Sequence, residues 1–445
     1  MSTSAVRNDS TASAGGNRWL ILVAGVLVQL AIGAVYAWSV FAKAIQSHDA
    51  FGWSKAQASV PFEVAIGMIF VGSYIGGRIQ DRSGPRTVAL TGGIIYSIGV
   101  ILASFANKDQ FWLLILGYGV LGGFGLGMAY IVPIAMLQKW FPDKPGLITG
   151  IAVAGFGFGA VITAPLGQAL IRNDPSMPTK AFLPLGIGYL VAVVIGASLF
   201  RNPPAGYLPP GMSAPAAADH GAEAHTKDPI PETDFAADEA LRTPQWYLLT
   251  AILTLSVTAG ISLISVAAGS ASDVAGYSAA AAASLVGVLG LFNGGGRILW
   301  GWLSDRIGKM PAFMGILGIQ GVCLLLIPHV ASPVLFAVLA ALVYTCYGGA
   351  FGTMPSTAGR FFGVRNAGAI YGLMLIGWSI GGIVGPLLIS SLIGEQKAYT
   401  VGFTVVGIIA LVGMALPMLT KKPGARTTSG AGAASNPRTA RATRP

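Results

Sequence analysis

The chain has 445 residues, of which 53% are hydrophobic and only 10% charged, where soluble globular proteins carry roughly 25% charged residues. A mean hydropathy of +0.68 excludes a water-facing globular surface, and with it a soluble enzyme. The net charge of +10 comes from basic residues strung between apolar runs. That is a pattern of membrane topology rather than of a nucleic-acid-binding face.

Residues 1–18 are polar and read as a disordered cytoplasmic N-terminus. The first hydrophobic run, Trp19 to Phe41, is longer than the core of a signal peptide and lacks a clear cleavage site, so it stands as the first span. Apolar segments long enough to span a bilayer follow at 57–79, 86–106, 111–138, 146–171 and 181–200, making 19–200 a six-helix bundle. Residues 201–243, rich in Pro, Ala, Asp and Glu, hold no apolar run and read as a flexible cytoplasmic central loop. A second set at 245–267, 279–303, 311–331, 333–357, 366–393 and 399–420 makes 244–420 a second bundle, and 421–445 a disordered cytoplasmic tail. The expected fold is an all-α membrane protein with twelve transmembrane helices in two pseudo-symmetric six-helix bundles.

Of the 27 basic residues, twenty fall on the side of the termini and only six, Lys43, Lys55, Lys108, Arg172, Lys180 and Lys397, on the other. That excess places both termini in the cytoplasm, with the plasma membrane, a bacterial inner membrane, as the expected location. The remaining basic residue, Arg297, lies inside a span. Cys323 and Cys346 sit in apolar segments without metal-ligand spacing and read as packing residues. No metal or cofactor is expected, and nothing calls for more than a monomer.

The turn after span two reads Gly77-Arg-Ile-Gln-Asp81-Arg82-Ser-Gly84-Pro-Arg86, and the turn after span eight Gly301-Trp-Leu-Ser-Asp305-Arg306-Ile-Gly308-Lys309. The two copies lie about half a chain apart, which points to a duplicated six-helix unit with a ligand site near the midplane between the halves. Such a turn needs Gly where a side chain would clash, and a carboxylate able to meet helix N-termini and arginines at a gate. The competing reading is a solvated, positive-inside turn.

At these residues the chain resembles the major facilitator superfamily. Asn17-Arg18-Trp19, Tyr36-Ala-Trp38, Trp140-Phe-Pro-Asp143-Lys144-Pro-Gly146, Leu241-Arg242-Thr243-Pro244-Gln245 and Leu291-Phe292-Asn293-Gly-Gly-Gly-Arg297 are similar to motifs of its oxalate:formate antiporter family. That family is related to the monocarboxylate transporters. The resemblance runs over nearly the whole chain and implies exchange or co-transport of small carboxylates across two rocking halves, gated on the inner side by the Asp81 and Asp305 loops.

An ionised guanidinium in a span is costly and generally faces a cavity or partner. Arg297 therefore points to an anionic ligand, held through its planar fork; the alternative is a structural arginine snorkelling toward the gate. The resemblance makes Arg297 the holder of the substrate carboxylate and places Tyr36, Tyr130 and Tyr347 in the cavity lining, with Trp38, Phe351 and Leu375 as weaker candidates. Asn293, one turn before Arg297, can steady the guanidinium; it stands where monocarboxylate transporters have an aspartate thought to help couple a proton. Trp378 stands where the oxalate carrier has a lysine. A dicarboxylate needs a counter-charge for each carboxylate, so one arginine suits a monoanion such as pyruvate or lactate. Trp378 as a packing residue is an equal alternative.

Glu63 is the only carboxylate well inside an expected span. Buried there, it would be a candidate for proton coupling; on a wetted face near the outer end it would not. His329 reads as an interfacial loop residue. The glycine-rich stretches Gly122-Gly123-Phe-Gly125-Leu-Gly127 and Gly155-Phe-Gly157-Phe-Gly159 lie within spans and read as helix-packing surfaces rather than phosphate loops. The expected function is secondary transport of small monocarboxylates, with a proton or counter-anion as the coupled species. Its rivals are oxalate:formate exchange and a non-transporting carboxylate sensor that signals through the 201–243 loop.

Overall fold

The structure, a computed structural model, describes residues 17–204, 206–209, 234–394 and 398–423. The expected disorder of the N-terminus and of most of the central loop and tail falls outside the described residues.

Among the described residues, twelve helices are long and apolar enough to cross a membrane. In chain order they are α1 (Arg18–Gln46), α2 (Ala56–Ser83), α3 (Pro85–Ala103), α4 (Phe111–Trp140), α5 (Pro145–Asn173) and α6 (Pro178–Ser198), then α7 (Pro244–Ala275), α8 (Ala280–Ile307), α9 (Lys309–His329), α10 (Pro333–Phe362), α11 (Ala367–Ile393) and α12 (Tyr399–Leu419). With an even number of spans, the start of α1 and the end of α12 lie on one face, the terminal face. Their starts follow local chemistry. Ser54, Thr243, Ser278 and Ser332 accept N-cap hydrogen bonds, and Pro occupies the first turn of α3, α5, α7 and α10, where its missing N–H is not needed.

α4 packs between α2 and α3, α3 against α6, and α1 against α5; in the second half α8 packs on α10, α7 on α11 and α9 on α12. The halves meet chiefly through α5 with α8 and α10, and through α2 with α11. Side chains such as Ile98, Val191, Leu387 and Val412 remain exposed, the apolar belt that a bilayer would cover.

The loop motifs lie differently from a turn. α2 and α8 run past the expected ends at 79 and 303, so Asp81 and Asp305 sit on last helical turns. Only Gly84 (φ +86°) and Gly308 (φ +99°) carry the reversal, in backbone conformations that favour glycine.

From those last turns each aspartate reaches into the other half. Asp305 accepts from the N–H groups of Gly146 (3.1 Å) and Leu147 (3.0 Å) at the start of α5. Asp81 accepts from the Ala369 N–H (2.9 Å) at the start of α11. Each carboxylate thus satisfies orphan donors at the positive end of a helix dipole. Close backbone approach makes this possible: a Cβ on Gly77 would collide with the Gly368 carbonyl, and one on Gly301 with the Gly146 carbonyl. Lys309, one of the basic residues on the side of the termini, is buried and donates to Asp305 (2.7 Å), Ser304 (2.9 Å) and Ser356 (2.8 Å). Arg82, Arg86 and Arg306 remain exposed, with Arg306 stacked over Trp302 at 4.0 Å. The carboxylates and glycines of the motif therefore form the contact between halves, and these arginines do not.

The last part of the expected loop is ordered against the same face. The Phe235 N–H donates to the Phe362 carbonyl (2.8 Å), Asn366 donates to the Phe235 carbonyl (2.7 Å), and Asp234 accepts from the Arg365 N–H (3.0 Å). A single helical turn, Ala237–Ala240, follows, from which Asp238 pairs with Arg78 of α2 at 2.6 Å. Residues 234–243 depart from a free loop because Phe235 and Ala240 are buried in the bundle surface.

Gly301→Leu is expected to force α8 away from α5 and release the Asp305 caps. Hydrogen exchange at the Gly146 and Leu147 amides should then accelerate by about tenfold or more; unchanged exchange would remove this contact from the closure of the terminal face.

Candidate substrate site

Arg297 lies on the face of α8 that meets α5 and α10 and is 1% exposed. Its Nη1 donates to the Val153 carbonyl of α5 (3.1 Å) and its Nε to the Asn293 side-chain oxygen (3.4 Å), one helical turn away. The guanidinium sits 5.7 Å from the Phe156 ring centre and 5.2 Å from that of Phe351, so two aromatic rings flank it. Its Nη2 is buried and has no hydrogen-bond partner among the described residues. None of the ion pairs among the described residues involves it.

Three of the helices that carry these side chains depart from regular α-helical geometry along their length. Tyr36 lies in a 3₁₀ stretch, Gly33–Ala37, that interrupts α1. Tyr130 follows a π-helical stretch, Ile115–Gly122, in α4. α11 breaks at Leu375, where the Trp378 N–H bonds to the Leu375 carbonyl in a 3₁₀ turn. Such irregularities re-aim side chains and are frequent at functional positions.

The aromatic side chains close around the guanidinium. Tyr36 and Tyr130 meet Phe156 edge-on at 5.2 and 5.0 Å. Trp378 meets Phe351 at 5.1 Å, Phe156 at 6.0 Å and Tyr130 at 5.9 Å, and Tyr347 meets Phe351 at 5.4 Å. The hydroxyls of Tyr36, Tyr130, Tyr347 and Tyr371 and the indole N–H of Trp378 are all buried without a hydrogen-bond partner. Tyr347 faces both Tyr36 and Trp378, and Tyr371 faces Tyr130, close enough for electrostatic interaction though short of hydrogen-bond geometry. Arg297 is an electrostatic neighbour of Tyr130, Tyr347 and Tyr371.

The structure thus gathers Arg297, Asn293, Tyr36, Tyr130, Tyr347, Trp378 and Phe351 into one region. Leu375 is buried at the break of α11. Trp38 points elsewhere: its indole donates to the Ala58 carbonyl (2.9 Å) within a cluster with Tyr118 and Phe182. Of the two readings of Glu63 it is the exposed one that the structure has: the side chain is exposed on α2 and accepts a hydrogen bond from Ser59 (2.8 Å). The periodicity of α2 identified a helix but not which of its faces is covered. His329 is exposed at the end of α9. Phe156, the Val153 carbonyl and Tyr371 were not singled out from the sequence. Phe156 was read as part of a packing stripe, while Tyr371 stands seven residues, two helical turns, before Trp378, a spacing that already put both on one face.

Residues 21–386 match the family model of the Major Facilitator Superfamily. The chain belongs to this superfamily. It is a multi-pass secondary transporter and not an enzyme. Among curated proteins it is 28% identical to the uncharacterized transporter YhjX of Escherichia coli (82% of this chain, 86% of that one). It is 29% identical to the oxalate:formate antiporter of Oxalobacter formigenes (90% and 91%) and 25% identical to apicoplast pyruvate carrier 1 of Toxoplasma gondii (92% and 88%). Among solved structures it is similar to the E. coli fucose:proton symporter FucP, with a TM-score of 0.68 at 15% identity over 91% of this chain and 98% of that one. This last likeness extends to the fold alone.

A buried guanidinium with a free nitrogen and no counter-charge is a cost to the ligand-free fold. Arg297→Met, similar in length and apolar, is expected to leave the ligand-free melting temperature unchanged or raise it, by the equivalent of up to about 2 kcal/mol. A marked fall would make Arg297 a structural residue.

Proposed function

We propose that this transporter carries small monocarboxylates, of the pyruvate, lactate or formate type, by alternating access, with the carboxylate held by Arg297. The observation that carries this is the unpaired Nη2 of Arg297, buried among hydroxyls and an indole N–H that also lack partners. These groups can all donate hydrogen bonds, and a carboxylate supplies two acceptor oxygens and the missing negative charge. Tyr36, Tyr130, Tyr347 and Trp378 complete the binding shell, and Asn293 orients the guanidinium through its Nε.

The terminal face is the cytoplasmic one in this proposal, on the excess of basic residues there, and the membrane a bacterial inner membrane. The Asp81 and Asp305 caps hold that face closed and must part for release inward. A proton or a counter-anion drives the cycle, and one chain suffices as the working unit. Exposed Glu63 is left out of the transport chemistry. Oxalate:formate exchange is the second reading, favoured by the antiporter to which the chain is 29% identical. Against it stands the single cation at the site, since oxalate brings two charges.

A ligand that binds only the folded protein stabilises it, by about 2.7 kcal/mol at a hundred times its Kd. Lactate or pyruvate should therefore raise the melting temperature of the purified protein, and Arg297→Gln should abolish the effect. Stabilisation that survives in the variant would overturn Arg297 as the carboxylate ligand. Counterflow in proteoliposomes, with and without a pH gradient, separates exchange from symport, and binding without flux would favour the sensor.

Trp378→Lys should add a second cation to the site. Binding of oxalate relative to lactate is expected to rise by about tenfold or more; an unchanged ratio would place Trp378 outside the charge balance of the site.

A further inference from the structure

Tyr36 enters the proposed site from the one stretch of α1 that is not α-helical, and what fixes that stretch lies outside the site. In a 3₁₀ helix side chains three residues apart eclipse, so within Gly33–Ala37 the Gly33 and Tyr36 positions share the side that meets α5. There a Cβ on Gly33 would collide with the Phe156 carbonyl, and Tyr36 meets the Phe156 ring at 5.2 Å. On another side packing is incomplete, because Ala34 borders a small cavity walled by Tyr96, Tyr118, Phe182 and Tyr189. Polar anchors stand around it. Immediately after the segment, the buried Trp38 donates its indole N–H to the Ala58 carbonyl of α2 (2.9 Å), and its ring lies against Tyr118 (4.4 Å) and parallel to Phe182 (6.2 Å). The Tyr118 hydroxyl reaches the Val35 carbonyl (3.4 Å), and the Tyr96 hydroxyl the Ala31 carbonyl just before the segment (3.5 Å). Both are long for O–H···O bonds, which leaves the Trp38 bond as the firm anchor.

We infer that Trp38 is a positioning residue for substrate binding: it pins the 3₁₀ segment to α2 and thereby aims Tyr36 at the ligand beside Arg297. This role rests on the proposed carboxylate site and deepens it. A 3₁₀ stretch has poorer hydrogen-bond geometry than the α-helix it interrupts, and it persists only where the surroundings hold it. Returning the segment to α-helical winding changes the turn per residue from about 120° to about 100°. Over the three steps from Gly33 to Tyr36 that rotates the tyrosine by about 60° and swings its hydroxyl, buried and without a partner, away from Phe156. Trp38, two residues on, would turn with it and lose the Ala58 carbonyl. The indole bond therefore selects the 3₁₀ form over the regular one. Binding groups displaced by about 1 Å lose much of their effect, so a side chain outside the site that fixes the backbone of one inside it sets the affinity.

The test is a double-mutant cycle on purified full-length protein, with the Kd for lactate taken from ligand-dependent melting. Wild type, Trp38→Phe, Tyr36→Phe, the double variant and Arg297→Gln are measured side by side. Trp38→Phe keeps a ring and removes the indole N–H, and Tyr36→Phe removes only the hydroxyl. Each single substitution should weaken lactate binding about three- to tenfold. The double variant should bind within about twofold of Tyr36→Phe, since a Tyr36 without its hydroxyl has nothing left to be aimed. A Kd unchanged in either single variant, or full additivity of the two losses, overturns the positioning role and leaves the Arg297 site standing. Should Trp38→Phe not fold, Tyr118→Phe, which frees the Val35 carbonyl and keeps its ring, takes its place in the cycle under the same outcomes. A wild type that lactate does not stabilise, or an Arg297→Gln protein that lactate still stabilises, overturns the monocarboxylate site and this inference with it.

Discussion

One guanidinium, taken out of water and left without a counter-charge, is the constraint around which the rest of this molecule is arranged. Arg297 is covered by two aromatic rings and tied by two hydrogen bonds, but the charge itself is answered by no carboxylate. Apolar residues of similar volume would pack as well, and the group is costly to keep. Its surroundings share the same deficit, since the buried tyrosine hydroxyls and the Trp378 N–H also lack partners. A cluster of buried donors is complementary to an acceptor-rich anion, the ligand proposed for it, whose binding would relieve that cost.

The same helices that build this site also join the two halves at the terminal face. α8 carries both Arg297 and Asp305, eight residues apart, which is about 12 Å along a helix. α5 presents Val153 and Phe156 to the guanidinium and, at its first turn, Gly146 and Leu147 to Asp305. α11 carries Ala369, capped by Asp81, then Tyr371 two residues and Trp378 nine residues further along the chain. Rigid elements that hold both contacts transmit a shift at one to the other without any need for a chain of intermediates. The two caps are related by the internal duplication, yet they are not equivalent. Asp305 binds two amides and the buried Lys309, whereas Asp81 binds one amide and leaves its other oxygen buried without a hydrogen bond. The Asp305 contact is the better satisfied of the two.

Much of this was legible in the residues. Arg297 stood out because a charge in an apolar run has few structural uses, and Asp81 and Asp305 because the same spacing recurs half a chain later. The tyrosines came from family likeness rather than from pattern, since an aromatic in a span is more often core than site. Glu63 marks the limit of what hydropathy encodes. Hydropathy places a residue along a helix but is silent on what covers each face, and α2 leaves that side chain exposed. Lys309 is the opposite case: a basic residue beside a turn says nothing of burial, and only the packing of α10 behind it supplies Ser356 and buries it.

The sequence by itself determined the number of spans, the duplication, the asymmetry of basic charge and the presence of one intramembrane cation, because each is a property of composition and order along the chain. Tertiary structure alone decided which partners those residues meet. The capping of α5 by Asp305 and of α11 by Asp81, the flanking of Arg297 by Phe156 and Phe351, and the facing hydroxyls of Tyr130 and Tyr371 all join residues far apart in sequence. Such contacts depend on how far two backbones can approach and on which way a locally broken helix turns its side chains. Neither is encoded in the periodicity of a single segment.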